Sequence, residues 1–150
     1  MVGGVFLQML YDKSTWRKYA DRDRTEAGGW APFPNPPHLA TILPTAEEGR
    51  PAWRYTTTQP GNSWYTPDFD DSSWSEGRAG FGTRGTPGAI VRTTWNSRSI
   101  WLRHTFELET TNWHDLRLRI HHDEDATIYV NGVRIANLTG YTTGYETVPL

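Results

Sequence analysis

The chain has 150 residues, 36% of them hydrophobic and 21% charged, with a formal net charge of −2 and no cysteine. That length suits one domain of ordinary size. The absence of a Lys/Arg block argues against nucleic acid or an anionic membrane as partner, and the absence of cysteine excludes disulfides, thiolate–zinc sites and thiol nucleophiles. The 8 Trp, 7 Tyr and 5 Phe supply large rings, so a core is feasible with few aliphatic residues. No apolar run approaches the about 18 residues of a membrane-spanning helix. The N-terminus lacks the basic-then-apolar order of a signal peptide.

In chain order, residues 1–24 read as helix. Val2, Val5, Phe6, Met9 and Leu10 fall on one face at i, i+3, i+4, i+7 spacing. Ser14 caps a second short turn that carries Trp16 and Tyr19. Asp21-Arg22-Asp23-Arg24 is a solvated charge run. Residues 1–27 therefore form a helical tail belonging to an upstream domain. The 28–52 segment holds Pro32, Pro34, Pro36, Pro37, Pro44 and Pro51 besides Gly28 and Gly29. That density forbids a long helix or a central strand. It reads as a linker laid over a surface, anchored by Trp30 and Phe33.

Residues 53–150 read as all-β. Trp53–Thr58 is rich in strand formers, and Gly61–Ser75 is a turn-rich stretch in which Asp70, Asp71, Ser72 and Ser73 can bond their own backbone. Arg78–Arg98 is glycine-rich but has neither the phosphate-loop spacing nor a following helix. Ile100–Leu108 alternates cleanly, with Ile100, Leu102, His104, Phe106 and Leu108 on one face. Leu116, Leu118 and Ile120 alternate with Arg117, Arg119 and His121. The strongest local signal is Asn131-Gly132, which supplies the φ > 0 pair of a type I′ hairpin turn. In that register Val130 faces Val133 and Ile128 faces Ile135, all on one side, with Tyr129 and Arg134 on the other. Glu146–Leu150 starts one more strand. Short strands separated by turn signals predict an antiparallel β-sandwich or barrel.

The segments FDDSSW (69–74), IWLRHTF (100–106) and DEDATIYVNG (123–132) resemble the galactose-binding-like jelly-roll modules attached to bacterial glycoside hydrolases, over Trp53 to Tyr145. The segment VGGVFLQMLYDKSTWRKYADRD (2–23) resembles the closing helix of the six-hairpin domain in the glutaminase A-like family. Together these likenesses imply the C-terminal portion of a larger bacterial protein, extracellular or periplasmic. The hydrolytic residues would lie upstream, and none is carried here. They also imply two further strands beyond Leu150. An unpaired edge left in their place is expected to pair with a second copy or with a partner domain.

An up-and-down strand order puts the 84–99, 123–125 and 138–145 loops at one end. That end is expected to collect Arg92, Trp95, Arg98, Asp123, Glu124, Asp125, Tyr141 and Tyr145. Rings stack on the apolar faces of sugars, and carboxylates and Arg bond hydroxyls, so an oligo- or polysaccharide fits this set. Trp95, Arg98, Asp123, Asp125, Tyr141 and Tyr145 are the candidate ligand contacts, with Trp101 and Tyr129 as an alternative flat platform. Each has a structural alternative. Trp95 can pack under the glycine-rich loop, Tyr141 and Tyr145 can close the last hairpin, and Asp123 and Asp125 can end a strand by bonding loop amides. Trp101 and Tyr129 can cover a second sheet. Trp53, Trp64 and Trp74 read as packing residues, and Trp113-His114 as exposed.

Catalytic signals are weak. Glycosidases need two carboxylates about 5–9.5 Å apart across the scissile bond, which adjacent residues on one tight loop rarely achieve. His121 and His122 point to opposite sides of a strand and do not share an ion easily. No cofactor is expected, and structural Ca²⁺ on Asp123 and Asp125 is the weaker alternative. The functional expectation is a non-catalytic carbohydrate-binding accessory module. The alternative is a structural module that docks on a catalytic domain.

Overall fold

The computed structural model describes residues 40–108 and 115–150. The helical tail, the Trp30 and Phe33 anchors and the Trp113-His114 pair lie outside the described residues. Within them the protein is all-β, and no helix is long and apolar enough to cross a membrane.

The strands are β1 (Ala52–Thr56), β2 (Ser75–Arg78), β3 (Phe81–Gly82), β4 (Thr93–Thr94), β5 (Trp101–Arg103), β6 (Arg117–Ile120), β7 (Ala126–Val130), β8 (Val133–Leu138) and β9 (Glu146–Pro149). β1 is central in an antiparallel sheet of order β2-β1-β5. β6 pairs with β9 and β7 with β8, both antiparallel, while β3 and β4 form a short parallel pair. The expected strand after Tyr145 is thus present as β9, with Leu118 opposite Val148. The parallel β3–β4 pair departs from the purely antiparallel pattern expected from sequence. It arises because the glycine-rich segment between them doubles back, and Thr93 and Trp95 N–H groups reach the carbonyls of Gly80 and Gly82 at 3.1 and 2.9 Å.

The Asn131-Gly132 turn forms as expected, with φ of 49° and 83°. Val130 pairs with Val133 and Tyr129 with Arg134, but Ile128 pairs with Ala136. The expected Ile128–Ile135 pair is therefore replaced by a bulge in which Ile135 is the extra residue. A bulge changes which side the following residues present. Ile128 is buried, while Val133, beside the turn, is 65% exposed.

The expected nine-residue strand at 100–108 is confined to Trp101–Arg103. Past Arg103 the ladder with β1 ends, because the His104 Nδ1 atom lies 2.7 Å from the Ala52 carbonyl. Carbonyls only accept, so Nδ1 carries the proton and the ring takes the place of a backbone donor. Arg103, on the side opposite the Ile100–Leu108 row, is 4% exposed. It is the hub of the 61–75 segment. Its Nε donates to Asp71 Oδ2 at 2.7 Å. Its Nη atoms donate to the carbonyls of Trp64, Thr66 and Phe69, and its guanidinium sits 5.3 Å from the centre of the Phe69 ring.

Fully buried apolar side chains among the described residues are Leu43, Ala46, Trp74, Leu118 and Ile128. Two of these, Leu43 and Ala46, belong to the segment read as a surface linker. Its later half is packed into the core instead. A turn holds it, with Glu48 and Gly49 N–H groups donating to the Thr45 carbonyl at 3.3 and 2.9 Å. Glu47 then ties it to β6 by accepting both Nε and Nη2 of Arg119. A bidentate guanidinium–carboxylate pair fixes geometry as well as charge. That hydrogen bonding holds the Arg119 pKa above its ordinary value.

Candidate functional site

Of the expected sugar-binding residues, Trp95 lines a groove to which Arg98 and the 121–145 residues do not contribute. Among the described residues, Trp95 makes no hydrogen bond or ring contact with Asp123, Asp125, Tyr141 or Tyr145. Loop ends are set by how the glycine-rich segment folds back, which an up-and-down strand count does not contain.

The 121–145 group is bound up in structural contacts. Asp125 Oδ1 accepts the Gly140 N–H at 2.8 Å, so this carboxylate closes the strand end as its alternative reading held. Thr142, 7% exposed, donates its N–H to the His122 carbonyl at 2.7 Å and its Oγ1 accepts the His122 N–H at 3.1 Å. The His122 Nδ1 atom lies 2.8 Å from the Glu124 carbonyl and 3.0 Å from that of Gly140. His121 Nε2 lies 2.9 Å from the Pro87 carbonyl. Both rings thus serve as donors to backbone. Asp123, Glu124 and Tyr141 are exposed, Tyr141 at 71%. No group of three or more His, Asp or Glu side chains among the described residues is placed to hold a metal ion, and hard cations need several converging oxygens.

The 84–91 loop is pressed against this group. Gly88 has φ +73°, and a Cβ there would stand 2.1 Å from the Thr143 carbonyl oxygen. Only glycine allows that approach and that conformation together. Tyr145 packs beside His121 at 5.6 Å between ring centres, with the Arg119 guanidinium 5.7 Å from its own ring centre. Burial pushes its phenol above its ordinary pKa of 10.0, assisted by the Glu47 charge and opposed by the Ile90 backbone and the guanidiniums of Arg92 and Arg119. The folded state therefore favours the neutral phenol. Its contribution is intact below about pH 10 and is lost as pH rises through the folded pKa. We expect the urea midpoint to fall in that alkaline window, and Tyr145→Phe to show a smaller fall than wild type.

The alternative platform is also partly occupied. Tyr129 stacks on Tyr65 with ring centres 4.5 Å apart and planes 16° apart, and meets the edge of Trp64 at 5.7 Å. One ring face of Tyr129 is thus covered by Tyr65. Trp101 is half-buried on β5 opposite Thr56. Arg98 is exposed.

Trp95 lines an open groove of about 410 Å³. One wall is the end of β1 and the residues after it, Tyr55 and Thr56–Thr58. The second is Ser73, Trp74 and Ser75, where β2 begins. The third is Thr94, Trp95, Asn96 and Ser97, leaving β4. The sheet brings the first two together, since Tyr55 pairs with Ser75. The third is brought in by the backbone of Trp95. Its N–H donates to Gly82 O at 2.9 Å, and its carbonyl accepts Thr83 Oγ1 at 3.1 Å. The indole is also held. Trp95 Nε1 donates to Ser97 Oγ at 2.9 Å, and Ser97 Oγ donates to Ser99 O at 3.0 Å. The ring is thus held at its polar edge. The hydroxyl walls were missed from sequence. The threonine run at 56–58 was a usable signal, being a cluster of hydroxyls at a strand end.

No family model, characterised protein or solved structure matches this chain.

Proposed function

We propose that the chain is a non-catalytic carbohydrate-binding module of a larger glycoside-hydrolase-like protein, working outside the cytoplasm, and that the Trp95 groove is where the sugar lies. A galactose-binding-type jelly-roll sandwich is the finer fold that goes with this reading. One observation supports the function above the others: an anchored tryptophan shares a groove with hydroxyl and amide side chains from three separate segments. A pyranose presents an apolar face and a ring of hydroxyls, and this lining offers a counterpart to each. Asp125 and Tyr145 then serve the scaffold, and Asp123, Tyr141 and Arg98 lie outside the groove lining.

The test is calorimetric titration and affinity electrophoresis against a glycan panel. Trp95→Ala is expected to weaken binding by at least about tenfold, as truncating a central aromatic contact does. Absence of retardation on every glycan defeats the reading. A second reading, docking on a catalytic domain without sugar affinity, draws on the exposed Val133 and Tyr141. It requires an interface that buries these side chains, and a monomer with both solvated in solution opposes it.

A further inference from the structure

Resting on the binding reading above, we propose that the groove selects neutral glycans over acidic ones, and that Ser97 is the positioning residue that presets Trp95. The lining contains no Asp, Glu, Lys or Arg. Uronic and sulfated sugars carry fixed anions, which are recognised through guanidinium or ammonium groups. The cations nearest along the chain stand outside the lining. Arg54, adjacent to Tyr55, donates its Nη1 to the Trp74 carbonyl at 3.2 Å, and Arg98, next to Ser97, is exposed and outside the lining. A sugar anion entering the groove therefore meets no charged side chain in its lining. Serine and threonine hydroxyls, by contrast, each donate and accept, as do the hydroxyls of a neutral sugar.

Ser97 acts through the indole. Its Oγ is the acceptor for Trp95 Nε1 and passes its own proton to the Ser99 carbonyl. The indole edge is thus pinned through a two-bond relay to the backbone. Without that hydroxyl the ring is free to change rotamer, and a ligand has to reorder it on binding.

The experiment measures affinity of the full chain for neutral polysaccharides and for uronic-acid and sulfated polysaccharides, at low and high salt. Neutral glycans are expected to bind with affinity changed less than about twofold by salt, because no exposed ion pair is involved. Ser97→Ala is expected to weaken binding about three- to tenfold at an unchanged thermal midpoint, the size of one neutral hydrogen bond. Ser97→Thr, which keeps the hydroxyl, is expected to restore it. Salt-sensitive binding of acidic glycans alone overturns the selectivity while leaving carbohydrate binding in place. Wild-type affinity in Ser97→Ala overturns the positioning role. Absence of binding to all glycans, with Trp95→Ala indistinguishable from wild type, removes the binding reading itself.

Discussion

Replacing Arg103 by alanine is expected to destabilise the protein by about 3–5 kcal/mol, the range for breaking a buried ion pair by deleting one partner. The guanidinium is nearly inaccessible and bonds Asp71 and the carbonyls of Trp64, Thr66 and Phe69. Each of those carbonyls terminates a turn that has no sheet partner of its own. Removing the donor takes a bond from each of these acceptors at once, and where they stay buried the desolvation cost remains. The 61–75 segment carries Ser73, Trp74 and Ser75 to the groove, so binding is expected to fall together with stability. Asp71→Asn is expected to cost less, because the Asp71 side chain is 28% exposed and water can replace part of the pair. Urea unfolding of the two variants checks the order. Equal, small losses would show that the cage does not organise the segment.

Leu118→Ala is expected to cost about 2–5 kcal/mol by the combined loss of transfer energy and packing. Leu118 is 3% exposed in β6, opposite Val148 of β9. Fully buried apolar side chains are few here, so one truncation removes a large share of what orders the β6–β9 pair. Net stabilities of about 5–15 kcal/mol leave little reserve. Thermal unfolding by circular dichroism measures the loss. The neighbouring half-buried replacement Thr147→Ala serves as a control only for Arg119, whose Nη1 lies 3.3 Å from Thr147 Oγ1, and a shift well below that of Leu118→Ala is expected.

The local devices were legible in the chain. Asn131-Gly132 specified its own turn, because two adjacent residues that tolerate φ > 0 suffice for a type I′ hairpin and no distant contact is needed. The runs at 52–56, 117–120, 126–130 and 146–149 were legible as strands, since alternation is a property of neighbouring residues. The bulge at Ile135 was not legible, because the pairing residues alone do not say where a ladder slips by one. The burial of Leu43 and Ala46 was hidden by the prolines around them. Proline forbids regular structure but does not keep neighbouring side chains out of a core.

Arg103 and the groove show the same division at the level of function. Alternation put Arg103 on a strand face, and only the three-dimensional path of residues 61–75 turned that face into a buried cage of carbonyls. Trp95 stood out in the sequence as a ring in a loop. Its neighbours did not, because Thr56–Thr58, Ser73 and Ser75 lie far from it in the chain and reach it only through the β1–β2 pairing and the fold-back onto Gly82. The sequence by itself determined the all-β class, the hairpin and the aromatic supply, all set by contacts within a few residues. The tertiary structure alone decided which polar groups surround Trp95 and which carboxylates are used up on backbone amides, because those partners are chosen by chain segments that meet only after folding.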